Sequence, residues 1–336
     1  MSVRRWLTAS ASLTVAASLA SCGGDAVAGR VTAQGVRQLA HWTALVHVLR
    51  PLDVTGPRRD GSVVLAAAGR LMLLHAAAGT AEPFATGYRS PGGEEPYIAL
   101  TSGGCLGSDT VYALHLRSPR GVVSISPRGT VHQFARLSAS GLIDGIAVDD
   151  TGAFGHRLLV TINAGSRTTV DAVDCHGGVT EITHDAPRVE GGIAVAPKSF
   201  GRFAGDLIAP DERGGGVFAI TPSGKRLLVA ASGLPHGPDI GVESAGFVPN
   251  GAGVDALMAD RVSRGNPHPG DDVVLRITHA ALAAAGVAPG DLLVASEGGA
   301  RTVSIRCANA GCRVRHVADG PAIAHGEGHI AFAAGG

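Results

Sequence analysis

The sequence has few aromatic residues and no excess of charge. Phe, Trp and Tyr make up 4% of the 336 residues, and 28 basic side chains balance 28 acidic ones to a formal net charge of +0. No segment carries a basic stripe, so nucleic acid is not an expected partner, because phosphate binding requires clustered Lys and Arg. No apolar run reaches the about 18 residues that a membrane-spanning helix needs.

Several catalytic and ligand-binding patterns are missing as well. No Gly-x-Ser-x-Gly elbow stands on a strand-to-helix turn, so a serine hydrolase of that type has no support. The cysteines are not spaced as Cys-x-x-Cys, which speaks against a zinc ribbon or a dithiol redox centre. The Gly-rich runs near positions 214 and 298 are not followed by helical patterns, and they predict hairpin turns rather than phosphate-binding loops.

Residues 1–21 have the features of a signal peptide. MSVRRW is a positive start, and LTASASLTVAASLA is an apolar stretch too short to cross a bilayer. LASC, at residues 19–22, resembles the lipobox of bacterial lipoproteins, in which the cysteine becomes the acylated first residue of the mature chain. This resemblance implies export and a lipid anchor, with palmitate, on Cys22; the alternative is an ordinary signal peptide. The Arg4-Arg5 pair leaves both Sec and twin-arginine export open.

Four cysteines remain after Cys22, and an even number predicts disulfides in an exported protein. RCANAGCR places Cys307 and Cys312 on either side of a four-residue turn containing Asn and Gly, which fits a bridge across a hairpin. Cys105 and Cys175 are the other two, and their pairing stays open.

The chain repeats itself with a nearly constant period. Ile146 and Ile193 are 47 residues apart, and so are Val170 and Val217. Each unit contains four short β-type runs separated by Gly-rich turns, which is typical of a β-propeller blade. The sequence therefore predicts an all-β fold, a six-bladed β-propeller over residues 60–336, with five blades as the alternative. A two-sheet sandwich would not explain so regular a period.

The two ends of the repeat region predict how the ring closes. HIAFAA, residues 329–334, is an inner strand with no chain left to complete its blade, whereas the segment after Asp60 has three strands and no inner one. Pairing the C-terminal strand with this N-terminal blade would close the ring and remove exposed edges. HAALAAAGVAP predicts a short helix late in the chain.

Residues 22–59 do not repeat, and we expect a lipid-anchored tether there. GGDAVAG is rich in small residues and suits a flexible linker. A short helix is expected to follow it, because apolar residues recur at helical spacing, at Val36, Leu39, Trp42, Val46 and Leu49.

An acidic residue stands at the start of each predicted inner strand. Loops that lead into inner strands share one face of a propeller with the loops between second and third strands. The expected metal ligands at one mouth of the channel are therefore Glu95 (EPYIAL), Asp144 (DGIAV), Glu190 (EGGIAV), Glu243 (ESAGFV) and Glu327 (EGHIAF). The expected ligand-binding residues are Asn163, Asp211, Asp260 and Glu297, together with His236, His268 and His325 from other loops.

Carboxylates crowded at a narrow opening repel one another. They require a cation, shared protons, or hydrogen bonds from backbone N–H groups. Oxygen ligands favour Ca²⁺ over Zn²⁺ or Mg²⁺, so Ca²⁺ is the expected cofactor. The alternative is purely structural: each acid fixes its strand to the next blade, a role that would repeat in the same way. The three histidines have a comparable alternative as turn or core residues.

Two motifs resemble a known family. VFAITPSGK, a strand and its turn, and ALMADR before a loop resemble the blades of the NHL and gluconolactonase/senescence-marker superfamily of six-bladed propellers. The resemblance covers residues 60–336 as an architecture. In the gluconolactonase branch, a Glu leading into an inner strand binds a central divalent cation, and an Asp is the base in lactone hydrolysis. Glu190 is similar to that Glu, although the Pro and Trp that follow it in the branch are absent here.

Together these patterns predict a monomeric lipoprotein on the extracytoplasmic face of the cell membrane. We expect it to bind a small polar ligand or carbohydrate at an acidic channel mouth, with Ca²⁺. Two alternatives stay open: a metal-dependent hydrolase or lactonase using Glu190, Glu243 and Asp260, and a protein-interaction scaffold that uses its blade edges. Whether the protein is an enzyme, and which residues would be catalytic, is left open by the sequence.

Overall fold

The computed structural model describes residues 38–90, 95–251 and 253–335. The predicted signal peptide at 1–21 and the predicted lipid attachment at Cys22 lie outside these residues. Within the described ranges, no helix is both long and apolar enough to cross a membrane.

β-Strand is the main secondary structure of the described chain, and the strands are arranged as a β-propeller, which confirms the predicted fold class. The strands are, in chain order, β1 (Ala40–His41), β2 (Thr43–His47), β3 (Pro51–Thr55), β4 (Val63–Ala67), β5 (Arg70–His75), β6 (Thr80–Phe84), β7 (Ile98–Ser102), β8 (Ser108–His115), β9 (Gly121–Ile125), β10 (Val131–Arg136), β11 (Leu142–Val148), β12 (Leu158–Ala164), β13 (Arg167–Val173), β14 (Val179–Pro187), β15 (Ala194–Val195), β16 (Leu207–Pro210), β17 (Gly216–Ile220), β18 (Arg226–Ala231), β19 (Val242–Phe247), β20 (Val254–Asp260), β21 (Val273–Ile277), β22 (Leu292–Ser296), β23 (Thr302–Ala308), β24 (Gly311–Asp319) and β25 (Gly326–Ala334).

Between Gln38 and Gly335, in the residues that the structure describes, the helices are few and short. One α-helix, α1, covers His279–Ala284, as HAALAAAGVAP predicts, and the Thr278 hydroxyl caps it by accepting a hydrogen bond from the amide of Ala281. Two single turns of 3₁₀-helix cover Gly104–Leu106 and Gly201–Phe203.

Four of the sheets are meanders of four consecutive antiparallel strands. They are β3–β6, β7–β10, β11–β14 and β15–β18, which we call blades 1 to 4. The fifth sheet has nine strands, in the order β1-β24-β23-β22-β19-β25-β20-β21-β2. Only one pair of residues, Ala245 and His329, joins β19 to β25 within it, and that pair is parallel. The nine strands therefore behave as two units, blade 5 (β19, β22, β23, β24 and β1) and blade 6 (β25, β20, β21 and β2).

The innermost strands β3, β7, β11, β15, β19 and β25 contact one another in that order, and β25 contacts β3, so the ring is closed. Apolar side chains fill the spaces between neighbouring blades, in six clusters. Between blades 1 and 6, for example, Leu65 packs with Leu257 and Ala331. Burial between blades explains why the strands are continuous runs of Val, Leu, Ile and Ala rather than strict alternations.

The helix predicted from Val36 to Leu49 is wrong over the described residues of that segment. Residues 40–47 form β1 and β2, which complete the outer edges of blades 5 and 6. Ala40 and Trp42 point inward while His41 and Thr43 are exposed, which is the alternation of a strand. The outer edges of β24 and β21 supply backbone hydrogen-bond partners to this segment. The hydrogen bonds with these strands favour β-structure in spite of the helical spacing of the apolar residues. The Trp42 indole also donates to Thr302 Oγ1 at 2.8 Å.

The propeller closes through its two ends, but with a different pairing from the one expected. The C-terminal strand β25 and the N-terminal strand β2 do belong to the same blade. However, β25 pairs with β20, and blade 1 has its own inner strand, β3, from a segment that the sequence placed outside the propeller. The propeller therefore begins at Ala40 rather than at residue 60.

Two disulfides are present. Cys307 and Cys312 join the ends of β23 and β24 across their hairpin, as predicted. Cys105 and Cys175, left open by the sequence, form the second bridge, between a loop of blade 2 and a loop of blade 3.

Candidate functional site

Acidic side chains gather at the end of the channel where the inner strands begin. Asp144, Glu243 and Glu327 lie in the first three residues of β11, β19 and β25, while Glu95 and Glu190 lie just before β7 and β15. Since the inner strands run in one direction around the channel, these groups reach the same mouth. We call this group and its immediate neighbours the acidic cluster.

Tyr97 fills the channel directly beneath the acidic cluster. Its side chain is fully buried, and its ring packs against Gly191, where a Cβ atom would lie 1.9 Å from the ring. A Cβ at Gly192 would meet the backbone of Glu243, Ala245 and Gly328 at 2.6–2.7 Å. Both glycines of EGGIAV are therefore required because a side chain would not fit. Gly191 lies against the Tyr97 ring, and Gly192 lies against the backbone of neighbouring inner strands.

The Tyr97 hydroxyl points into the carboxylates. It lies 2.9 Å from Glu243 Oε1 and 3.3 Å from both Glu95 Oε2 and Glu327 Oε2. Burial, and then the negative charges of Glu243 and Glu95, raise the pKa of Tyr97 well above its ordinary value. The phenol therefore keeps its proton and serves as a hydrogen-bond donor, to one carboxylate at a time.

Arg261 is one of the cationic groups that offset this negative charge. It follows β20 directly, and its guanidinium forms ion pairs with Glu95, at 2.9 Å, and with Glu327. Arg188 lies 3.3 Å from Glu190 on the other side of the cluster. Neither arginine was among the site residues expected from the sequence.

Glu297, His325 and Glu327 form a compact trio. His325 Nε2 lies 2.9 Å from Glu297 Oε1 and 3.2 Å from Glu327 Oε1, and one potential ligand atom from each residue lies within 4.8 Å of the others. All three side chains are buried. Burial alone would lower the pKa of His325, but hydrogen bonds to the two carboxylates outweigh it and raise the pKa to about 10. A proton on His325 thus occupies the position where a metal ion would bind.

Asp144, Asn163 and Glu190 form a second part of the cluster. Asn163 donates one hydrogen bond from its amide nitrogen to Asp144 Oδ2 and another to the carbonyl of Val189, at 2.8 Å. Its carbonyl oxygen accepts from Thr168 at 2.5 Å. This amide is fully used by the protein itself, so Asn163 orients Asp144 rather than offering a free group to a ligand.

Four carboxylates of the cluster hold protons more strongly than exposed ones do. Burial is the main cause for Asp144, Glu190 and Glu243, and the charge of Glu327 is the main cause for Glu95. The pKa values of Glu95 and Glu190 rise to about 7, and those of Asp144 and Glu243 rise well above the ordinary range. In the described residues, the carboxylates outnumber the cationic groups that face them: Glu95, Asp144, Glu190, Glu212, Glu243, Glu297 and Glu327 against Arg188, Arg261 and His325.

Four of the predicted site residues do not join the acidic cluster as ligands. Asp211 accepts hydrogen bonds from the backbone of Arg213 and Gly214, at 3.1 Å each, and fixes the turn after β16. Asp260 accepts from the amide of His325 at 2.9 Å and so holds the backbone that carries the trio's histidine. His268 Nδ1 lies 2.7 Å from the carbonyl of Ala322.

His236, the fourth, is exposed in the loop after β18. Its Nδ1 lies 3.4 Å from the carbonyl of Leu234, within its own loop. The turn alternative therefore describes the environment of His236 and His268 better than a ligand role does.

Sequence reasoning missed Asp53, Tyr97 and Arg261, and also Arg188 and Glu212 at the edge of the cluster. Asp53, in β3, is the acid of the sixth inner strand, and it accepts from the amides of Ile98 and His329 at 2.7 and 2.8 Å. The signal was present, since LDVT has the same acid-before-strand pattern, but the segment was assigned to the tether. Tyr97 and Arg261 lie within EPYIAL and ALMADR, but neither motif indicates their roles. Those roles depend on partners far away in sequence: Glu243 lies 146 positions from Tyr97, and Glu95 lies 166 positions from Arg261.

The opposite end of the channel has fewer acidic groups. A cavity of about 250 Å³ lies there, lined by the later residues of the inner strands, including Leu100, Val148, Phe247 and Phe332. Asp150 is the acid among the described residues that line it, so the two mouths differ in chemistry.

No protein-family model matches the chain, and no curated protein matches it. Solved structures with a similar fold include a streptogramin B lyase, 13% identical with a TM-score of 0.46, covering 81% of this chain and 70% of the other. Another is a gluconolactonase from Xanthomonas campestris, 14% identical with a TM-score of 0.40, covering 66% and 69% of the two chains. Likeness at this level carries no argument about function.

Proposed function

We propose that this protein is an extracytoplasmic, lipid-anchored β-propeller that binds a divalent cation, and through it a small polar ligand or carbohydrate, at its acidic channel mouth. The observation that carries the proposal is the convergence of Glu297, His325 and Glu327 within 4.8 Å, inside a group that has more carboxylates than cations. Buried like charges at this density require protons or a cation, and a metal ion would replace the proton on His325.

The donor set favours Zn²⁺. Zn²⁺ accepts imidazole nitrogen together with carboxylate oxygen, whereas Ca²⁺ prefers oxygen ligands alone. The oxygen ligands on which the Ca²⁺ expectation rested include Glu95 and Glu243, and in the structure both of them face the Tyr97 hydroxyl. Three protein ligands would leave one tetrahedral position open, which a hydroxyl or carboxylate oxygen of a ligand would fill.

Elemental analysis of the purified protein tests the proposal. We expect bound zinc in the native protein, its removal by a chelator, and a higher melting temperature when it is restored, because a ligand that binds only the folded state stabilises it. H325Q should lose the metal. The matched control is H184Q, since His184 lies 2.7 Å from Glu181 in an exposed pair on β14, and the described part of the chain offers this pair no third ligand. Absence of metal from the native protein, with no thermal response to Zn²⁺, Mn²⁺ or Ca²⁺, would contradict the proposal.

A metal-dependent hydrolase is the second candidate, and one observation favours it. Burial raises the pKa of Glu190 to about 7, the range in which a carboxylate acts as a general base at neutral pH. Turnover of a lactone panel that requires metal and disappears in E190Q would establish the enzyme. Full metal occupancy without turnover would leave the binding function.

The lipid anchor is tested separately. We expect the full chain to be recovered in the membrane fraction and to incorporate a labelled fatty acid. C22S should lose both properties, because it removes the residue that would be acylated, and stable anchoring needs two or more acyl chains. Release of the wild-type protein into the soluble extracytoplasmic fraction would indicate an ordinary signal peptide.

A further inference from the structure

A second cavity, of about 550 Å³, opens between blades 1 and 6 beside the acidic cluster. Its walls are the turn between β4 and β5, the residues that lead into β3, and the loop that follows β20. Pro96 and Arg261 also line it, so the cavity reaches the edge of the acidic cluster. We call it the inter-blade cleft.

The inter-blade cleft carries an excess of positive charge. Arg50, Arg70 and Arg264 line it with exposed side chains, and none of the three has an ion pair or side-chain hydrogen bond among the described residues. Asp272 is the acid among the described lining residues, and one of its oxygens already accepts the amide of Val262 at 2.9 Å. Arg261 is engaged by Glu95 and Glu327, which leaves three arginines to attract an anion.

Two hydroxyl groups face each other at the cleft. Tyr88 and Ser90 both line it, and apart from each other their hydroxyls have no hydrogen-bond partner among the described residues. Tyr88 is only 3% exposed. Because two hydroxyls that bond only to each other use one O–H donor between them, the second O–H is left to donate to a bound acceptor.

Backbone strain is concentrated at the same place. Eight non-glycine residues have a positive φ in the described chain, and three of them line the cleft: Arg50 at 48°, Ala68 at 47° and Asp272 at 51°. Such conformations cost free energy and cluster where a ligand is held. Arg50 and Ala68 are also directly linked, because the Ala68 amide donates to the Arg50 carbonyl at 3.0 Å.

Apart from Ser263, the rest of the described lining is apolar, with Leu49, Leu52 and Val262 among its residues. We propose that the inter-blade cleft binds a small soluble organic anion, a phosphate or carboxylate carried on an apolar body. The anionic group would be held by Arg50, Arg70 and Arg264, with a hydroxyl donor from Tyr88 or Ser90. This site is separate from the metal trio and does not depend on it.

Isothermal titration with phenyl phosphate tests the inference, with inorganic phosphate as the probe that lacks the apolar body. We expect the native protein to bind phenyl phosphate more tightly than inorganic phosphate, and the affinity to fall as salt rises. The double variant R70Q/R264Q should weaken binding by at least about tenfold, since each substitution removes a charge-assisted contact. The matched control is R313Q, which removes an exposed arginine from β24 in blade 5.

The outcomes separate this inference from the proposed function. Binding that survives a chelator and the H325Q variant, but not R70Q/R264Q, supports the inter-blade cleft whatever the metal result. Equal weakening by R313Q, or no detectable binding of either phosphate, overturns it. Binding of anionic phospholipid vesicles through Arg70 and Arg264, without binding of phenyl phosphate, also overturns it, because the ligand would then be a membrane surface.

Discussion

The hydroxyl of Tyr97 lies 2.9 Å from Glu243 Oε1, across 146 positions of sequence. This contact joins the start of blade 2 to the start of blade 5 through the centre of the channel. The tyrosine closes the channel and at the same time supplies a donor to buried carboxylates that have few others.

Replacing Tyr97 with Phe should destabilise the protein more than the equivalent change at Tyr112. The Tyr97 hydroxyl serves three carboxyl groups inside the channel, and leaving buried acceptors without their donor costs about 1–3 kcal/mol. Tyr112 is also buried, but it donates to the neutral carbonyl of Leu106 at 2.9 Å, for which about 1 kcal/mol is expected. Denaturant unfolding of Y97F and Y112F measures both losses. Equal losses would mean that the carboxylates do not depend on the Tyr97 donor.

A methyl group at Gly191 should be poorly tolerated. The added Cβ would lie 1.9 Å from the Tyr97 ring, which is fully buried and has no room to move. We expect G191A to lower the free energy of unfolding by about 1–3 kcal/mol or more. G87A is the control, because nothing lies within 4 Å of a Cβ at that exposed position, and its effect should stay within about 0.5 kcal/mol. A mild effect of G191A would contradict the packing described for the channel.

The metal-free protein should lose stability between about pH 4.5 and pH 7 because of Glu190. Its pKa is about 7 in the folded state against an ordinary value of 4.5, so the folded state binds the proton more strongly than the unfolded chain does. The stabilisation that protonated Glu190 provides is therefore complete below pH 4.5 and is lost as the pH rises through 7. Over this range the free energy of unfolding falls by at most about 1.4 kcal/mol per pH unit.

Gln imitates protonated Glu, so E190Q should remove this part of the pH dependence and exceed the wild type in stability at pH 8. Denaturant titrations with chelator at several pH values measure the difference. E181Q, on the exposed surface of β14, is the control and should follow the wild-type curve. Parallel curves for the wild type and E190Q would show that Glu190 is ionised in the folded state at neutral pH.

The two disulfides should differ in their contribution to stability. Cys105–Cys175 spans 70 residues and ties blade 2 to blade 3, whereas Cys307–Cys312 spans 5 residues within one hairpin. Loop-closure entropy predicts a loss of about 4 kcal/mol for the first and about 2 kcal/mol for the second. Thermal melts of the double variants C105S/C175S and C307S/C312S give the comparison, and a reversed order would contradict the entropic argument.

The sequence predicted the propeller because strand length, turn glycines and a period near 47 residues are local and repetitive signals. It failed where one segment had to find partners far away. Residues 40–47 have helical spacing of apolar residues, yet they fill the open edges of blades 5 and 6, an arrangement visible only once β21 and β24 are in place. Asp53 was missed for the same reason, because the segment that forms β3 was predicted to lie outside the propeller.

The position of the candidate site was predictable from the repeat, but two of its central residues were not. The repeated acid before each inner strand located the channel mouth, since it follows from the repeat itself. Two residues that determine the chemistry of that mouth do not repeat: Tyr97 fills the space left by Gly191, and Arg261 reaches two carboxylates from the end of β20. Their contacts depend on the closed ring rather than on any local pattern.

The most direct test of the cation site is a Zn²⁺ titration of chelator-treated protein followed by calorimetry. We expect one tightly bound Zn²⁺ per chain and a loss of affinity of about 100-fold or more in H325Q and in E297Q, with H184Q and E181Q unchanged. Zn²⁺ binding that is equally strong in H325Q and E297Q would contradict this expectation, as would no saturable binding at all.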